Sequence, residues 1–466
     1  MVEARARRLG TFDVIFYSIV ATIGIRWLPV AAALGPASLP LWLLALITFY
    51  VPLSVATVEL TSRFPGSGSL YSWARDALGP LSGFVCGWFY WVSLLPYFAG
   101  LVYFLAGLAL SAIGADTHDT TLYLAISILI VLVATIFQLE GLSFSKWLPN
   151  IGALGSWTIF FLLVFAALVV GLRGMSATDF LKADFIPPSN LDTVILWGPM
   201  VFALCGSETL AFLRNDIRGE LGTILKSLAV LGFAMAAIYM IGTAAMLVIL
   251  PKAELTRLTG LPDALRAVFS HGGFPALAAI AVGGLALSQF GGLSAWFVIA
   301  TRMPVEAGVD NFLPPAFTKH NPTTGAPVPA IILQGVLTLA MVILGQSGEG
   351  AAAAYDFLVA MSVLTATIPY VYVFAVYLMP SRWPDTAEAW RPPGGAVTSR
   401  LLGIVGMIAT LTAIACSLVP DSSDPHPLTT FLKVVISTAV MLGIGLLLFW
   451  QGNRGRGRGA QPADRR

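Results

Sequence analysis

GTFDVIFYSIVATIGIRWLPVAAALGP, residues 10–36, is apolar over a length that crosses a bilayer, yet it carries an interruption in its middle. A spanning helix needs about 20 such residues. The break falls at Thr22-Ile23-Gly24 and is followed by Arg26, Trp27 and Pro29. Gly24 permits dihedrals closed to other residues, and Pro29 has no backbone N–H and crowds the turn before it. In lipid, broken backbone is tolerated only where protein or a water-filled cavity satisfies the freed groups. Arg26 adds a charge that costs roughly 2.5–3.5 kcal/mol near mid-bilayer. The segment therefore reads as half of a midplane binding site.

A second stretch repeats the theme. Residues 195–220, ILWGPMVFALCGSETLAFLRNDIRGE, carry Gly198-Pro199, then Cys205-Gly206-Ser207, then Glu208. Paired Gly/Pro interruptions in corresponding positions of two halves point to a transporter built from inverted repeats. The second stretch follows the first by five spans, an odd number, so the two copies insert in opposite orientations. Exposed helix ends are positive at N-termini and negative at C-termini, which suits a carboxylate at one and an ammonium at the other. A zwitterion or a small amine fits such a receptor.

The rest of the chain agrees. Of 466 residues 57% are hydrophobic and only 11% charged, which excludes a soluble enzyme. About twelve spans are expected, at 13–34, 39–62, 80–111, 121–139, 149–172, 192–213, 222–250, 276–304, 327–345, 353–379, 400–419 and 429–450. Of the 26 basic residues, 19 fall on the side of the N-terminus, six on the other side, and Arg26 inside a span. The positive-inside rule then places both termini in the cytoplasm of a multi-pass protein of the cell (inner) membrane. No cleavable signal peptide is expected, because the first apolar run is too long and further spans follow.

The expected organisation is a cytoplasmic lead over 1–12, a core over 13–379 made of repeats at about 13–172 and 192–379, two additional helices over 400–450, and a disordered basic tail over 451–466. A positive-inside anchor accounts for the Gly/Arg-rich tail without a specific nucleic-acid partner. Cys86, Cys205 and Cys416 lie inside spans, too dispersed for a disulfide framework or a metal motif. Glu59 and Arg63, spaced i, i+4, read as a helix-end ion pair. Trp91 and Tyr97 in the aromatic third span are candidate cavity-lining residues, with plain packing as the alternative. No catalytic constellation, metal site or cofactor is indicated.

Four phrases carry a resemblance to a known family: the Gly24-Ile25 pair of the broken first helix, ELTSRFPGSGSLYSWARDALG (59–79), FALCGSE (202–208), and TRMPVEAGVDNFLPPAF (301–317) with GAPVPAIIL (325–333). They resemble the amino acid–polyamine–organocation permeases, more narrowly the amino-acid and glutamate/γ-aminobutyrate antiporter branches. The resemblance implies an all-α fold of twelve helices with a five-plus-five inverted repeat, broken helices one and six, and alternating access around a site between helices one, three, six, eight and ten. It implies that the backbone amides at Thr22, Ile23 and Gly24 receive a substrate carboxylate and that the carbonyls at Cys205, Gly206 and Ser207 receive an amine. Glu208 matches a gating or proton-linked acid, expected to make transport pH-dependent.

Two departures stand out from that pattern. Thr22 takes the place of the usual first small residue of the break, and Arg26 that of the aromatic residue that commonly follows the Gly-Ile pair. Ser156 replaces a fifth-helix Lys of some proton-coupled relatives, so no cation mimic is expected there. Arg26 either meets an anionic substrate or pairs with Glu208. The expected function is secondary transport of an amino acid or related small amine or carboxylate, as antiporter or proton symporter. A polyamine or organic-cation permease is the alternative within the class, and a membrane enzyme or receptor the alternative outside it.

Overall fold

In a computed structural model of the chain, residues 10–64, 69–116, 119–139, 147–212, 220–271, 275–306, 312–313, 321, 327–346, 350–384, 389–421, 424 and 426–459 are described, and all their regular structure is helical. The first half contains α1 (Thr11–Thr22), α2 (Trp27–Ala32), α3 (Ser38–Arg63), α4 (Leu70–Leu78), α5 (Pro80–Ile113), α6 (Thr120–Leu139) and α7 (Trp147–Leu172). The second contains α8 (Leu191–Ala203), α9 (Thr209–Phe212), α10 (Glu220–Ile249), α11 (Gly260–His271), α12 (Pro275–Glu306), α13 (Val328–Gly345) and α14 (Ala351–Tyr377). Then follow α15 (Gly395–Ser417) and α16 (Pro427–Gly459). Ten of these are long and apolar enough to span a membrane, and the pairs α1/α2 and α8/α9 supply the two interrupted crossings.

The two halves match element for element: a broken helix, a long helix, a short helix, and three more long helices. The short helices α4 and α11 hold the third place in each half. Each buries one face, α4 with Leu70, Trp73 and Ala77 and α11 with Leu261, Ala264 and Leu265. An odd number of crossings separates them, so they lie at opposite ends of the bundle. α4 starts at a capping box, with Ser69 Oγ accepting from the Ser72 N–H and Ser72 Oγ from the Ser69 N–H.

Burial separates centre from rim. The best spanning window of α5 is 83% buried and that of α14 72%, while that of α16 is 17% buried. α5 and α14 therefore stand inside the bundle, and α16 faces lipid. On α7 the exposed side chains Leu154, Phe161, Phe165, Leu168 and Leu172 recur at helical spacing, as a lipid-facing stripe requires. Its opposite face closes tightly on α12: a Cβ on Gly152 would lie 2.7 Å from the Ser288 carbonyl oxygen. Small residues let two backbones approach this closely in a membrane, where packing substitutes for a hydrophobic drive.

α16 continues to Gly459, into the stretch that composition assigns to a disordered tail. Residues 460–466, the lead over 1–9, the PGSG stretch at 65–68 and most of residues 307–326 lie outside the described residues. The three cysteines are free thiols, as their dispersal implies. Glu59 and Arg63 form the expected pair at 3.6 Å, but buried rather than at a wet helix end. Tyr377 and Ser399 both donate to Glu59 Oε2, at 2.9 and 2.7 Å, tying α3 to α14 and α15.

Candidate substrate site at the two helix breaks

α1 ends where the sequence places its interruption. Its last helical bond runs from Ile23 N–H to Ile19 C=O, and Thr22 Oγ1 turns back to the Ser18 carbonyl at 2.6 Å. The chain resumes as a tight turn, with Trp27 N–H bonded to Gly24 C=O and Leu28 N–H to Ile25 C=O. Pro29 falls in the first turn of α2, where a missing N–H costs little.

α8 runs through Pro199 and ends at Ala203. The break follows at Leu204 to Glu208, and Gly206 adopts φ +111°, a conformation that side chains rarely tolerate. A Cβ at Gly206 would also lie 2.7 Å from Thr22 Cγ2, so the two breaks touch there. Thr209 donates to the Gly206 carbonyl through both its N–H and its hydroxyl, which starts α9.

Tyr239 of α10 joins the breaks. Its hydroxyl accepts from Gly24 N–H at 3.3 Å and donates to Ala203 C=O at 3.0 Å. One side chain thus satisfies a freed donor of the first break and a freed acceptor of the second. Trp42 of α3 stacks on the Tyr239 ring at 4.5 Å and is itself anchored to Thr243 Oγ1. Nothing in the sequence marked Tyr239, which sits in a long apolar run that forms the continuous helix α10.

Arg26 is 3% exposed. Its guanidinium carbon lies 4.4 Å from the ring centroids of both Trp27 and Tyr97. Phe202 packs against Trp27 at 5.4 Å and against Tyr97 at 5.9 Å, and Trp296 meets Tyr97 at 6.0 Å. The box draws on α2, α5, α8 and α12. Arg26 Nη1 is buried without a hydrogen-bond partner, and the ion pairs among the described residues do not include Arg26. Cation–π contacts contribute ~0.5–2 kcal/mol each. Burying a charge costs several kcal/mol, so the rings alone do not balance it.

Glu208 is buried and pairs with no cation among the described residues. Tyr90 and Tyr370 donate to its Oε1 at 3.1 and 2.8 Å, and Gly206 N–H donates to its Oε2 at 3.0 Å. The alternative in which Arg26 and Glu208 form a structural pair therefore finds no ion pair here. Ser207 Oγ is fully buried and without a partner. Cys205 Sγ turns back to the Val201 carbonyl.

The residues singled out by sequence fall into three groups. Thr22, Ile23, Gly24 and Arg26 gather at one break and Cys205, Gly206, Ser207 and Glu208 at the other, with Tyr97 against Arg26. Trp91 instead packs edge-on against Trp88 at 5.5 Å, whose indole N–H reaches Met441 C=O on α16. Ser156, where some relatives have Lys, lies 2.6 Å from Ser288 Oγ and accepts from Gln289, so it joins α7 to α12. Tyr90, Tyr370, Phe202 and Trp296 were not foreseen, because aromatic residues throughout such helices look alike in sequence.

A family model described as amino acid permease matches residues 9–446. A transporter of Legionella pneumophila is 24% identical over 95% of this chain and 94% of its own length. A probable agmatine/putrescine antiporter of Lactococcus lactis is 23% identical, over 93% and 94%. A glutamate/γ-aminobutyrate antiporter of the same species is 22% identical, over 82% and 78%. Among solved structures, a manganese transporter of Eremococcus coleocola matches with a TM-score of 0.55 and 12% identity over 94% of both chains, a likeness of fold.

Proposed function

Because the chain belongs to the amino acid permease family, whose members are transporters and not enzymes, we propose that it moves an amino acid or related small carboxylate by alternating access, as antiporter or proton symporter, with both termini in the cytoplasm. The observation that carries this reading is Arg26: a buried guanidinium at a helix break, flanked by rings, with Nη1 unpartnered. A substrate carboxylate supplies the missing anion, and the planar guanidinium receives it through two parallel bonds. The backbone at Thr22 to Gly24 and at Cys205 to Ser207, with the free Ser207 hydroxyl, addresses the rest of the solute. Glu208, held by neutral donors among the described residues, serves as the gating or proton-linked group.

A screen of the purified protein by thermal shift tests this, since a ligand of the native state stabilises it by mass action. Glutamate or another dicarboxylate is expected to raise the melting temperature, and Arg26→Lys to weaken that response. Stabilisation by polyamines alone would move the reading to an organic-cation permease. Glu208 and the agmatine/putrescine antiporter relative favour that second reading. Glu208→Gln is expected to flatten the pH dependence of transport in proteoliposomes, and an unchanged profile removes the coupling role.

A further inference from the structure

At the end of the bundle where α2 finishes, three separate segments are fastened by one side chain. Arg257 lies in the connection between α10 and α11. It holds Asp356, in the first turns of α14, at 3.2 Å and also pairs with Asp421, just beyond α15, at 2.5 Å. The three side chains keep only 20–35% of their exposure. The same connection lies over α2: Lys252 Cδ sits 3.1 Å from where a Cβ on Gly35 would be, and Pro29 Cβ 3.0 Å from the corresponding point on Gly260. Leu255, Leu258 and Leu261 are buried beneath it. Arg266 of α11 bonds the Ser111 carbonyl at the end of α5, a second tie.

Beneath Arg257 is a pocket lined by Val30, Pro199, Tyr355, Val363 and Cys416 among others, with Arg257 and Asp356 at its polar side. Its walls come from α2, α8, α14 and α15. Tyr355 is fully buried, and its hydroxyl has no hydrogen-bond partner. Val30, which lines the pocket, lies one turn beyond Arg26 along α2, and Pro199, which also lines it, lies one turn before Phe202 along α8. The pocket thus shares α2 and α8 with the site at the breaks and touches the Arg257 cluster directly.

We propose that Arg257, with Asp356 and Asp421, is the bolt that closes the mouth of the transport path at this end, and that the pocket under it is the antechamber from which solute reaches Arg26. A closed and an open mouth are two states of one bundle, and whatever stabilises only the closed one shifts the population toward it. The bolt makes contacts that cannot survive separation of the α10–α11 connection from α14 and α15. The inference rests on the transport reading, but its test needs no substrate.

Cys416 is a built-in reporter, because it lines the pocket and is 5% exposed in this closed form. Its thiol reacts with a soluble alkylating reagent only when the pocket opens. Purified full-length protein is treated with a maleimide, and the rate of modification at Cys416 is read by peptide mass spectrometry. Arg257→Gln should speed labelling by about tenfold or more, the factor that corresponds to a 1.4 kcal/mol shift in the opening equilibrium. Asp356→Asn, which leaves the Asp421 pair, should give a smaller increase. The exchange Arg257→Asp with Asp356→Arg should restore protection, since the new arginine again faces two aspartates. Labelling of Asp356→Asn and of a folded Arg257→Gln at the wild-type rate overturns the proposal, as does an exchange variant no slower than Arg257→Gln. If Arg257→Gln does not fold, Asp356→Asn and the exchange decide alone. Failure here leaves the ligand response of Arg26 untouched, so the two readings fall separately.

Discussion

Arg26 and Arg257 are both drawn into the bundle, but they are compensated in different ways. Arg257, at one end, is clasped by Asp356 and Asp421. Arg26, at the meeting of the two breaks, has the rings of Trp27 and Tyr97 against it and, among the described residues, no carboxylate in an ion pair with it. A half-buried cation whose partners are built in is complete, and removing it takes the cation away from two carboxylates. A buried cation without such a partner is, in the proposed function, free to receive a substrate anion, and removing it strands no carboxylate among the described residues. The two proposed roles, closure and binding site, therefore predict opposite responses to removal of the arginine.

The largest effect expected from this difference is on ligand response. Arg26→Ala should weaken an anionic substrate by about tenfold to a hundredfold, since hydrogen bonds to charged groups contribute ~1.5–3 kcal/mol. Arg26→Lys should lose much of the same affinity, because a point charge cannot reproduce the fork. The melting temperature without ligand should hold or rise in Arg26→Ala. Unchanged affinity with a large fall in melting temperature would make Arg26 structural and collapse the comparison.

Arg257→Ala should do the reverse. Breaking a fully buried pair costs ~3–5 kcal/mol, and exposed pairs contribute ~0–1. With 20–35% of side-chain exposure retained here, about 1–3 kcal/mol of stability is expected to be lost, read as a drop in melting temperature. Equal destabilisation by Arg26→Ala and Arg257→Ala would erase the distinction between them.

Much of the architecture was legible in sequence because the bilayer imposes it. Apolar length fixes the spans, and freed backbone has to be satisfied, so Gly24 and Gly206 announce the breaks in the chain itself. The environment of the charges was not legible. Glu59 and Arg63 read correctly as a pair from their i, i+4 spacing, whereas the pairing of Arg257 with Asp356 and Asp421 spans long separations that no periodicity reports. Arg26 left two partners open, and geometry shows rings and an unpartnered Nη1 in place of Glu208. Trp91 and Tyr97 looked equivalent, six residues apart on one helix; Tyr97 stands over Arg26 while Trp91 packs with Trp88 toward α16. Tyr239 carried no signal, although it is the side chain through which the two breaks are joined.

That junction gives the next smaller effect. Tyr239→Phe keeps the ring stacked on Trp42 and removes only the hydroxyl, leaving Gly24 N–H and Ala203 C=O without it. Two hydrogen bonds of roughly 0.5–1.5 kcal/mol each are at stake. Stability is expected to fall by about 1–2 kcal/mol in a thermal melt. The contacts of Arg257 lie outside this change, so it should keep Cys416 protected. Faster labelling of Cys416 in Tyr239→Phe would mean that the breaks and the mouth open together.

The smallest effect tests whether the rings around Arg26 hold it in position or merely tolerate it. Tyr97→Leu removes one of the two faces at 4.4 Å and leaves Trp27 in place. One cation–π contact is worth ~0.5–2 kcal/mol, so anionic affinity should fall by a few-fold. Tyr97→Phe keeps the face and removes the hydroxyl, and should behave as the parent does. A loss shared equally by Phe and Leu would transfer the role from the ring to the hydroxyl, making Tyr97 a direct polar contact for the solute. A loss confined to Leu would show that the aromatic box positions Arg26. The site would then depend on rings as its support, while the mouth depends on aspartates.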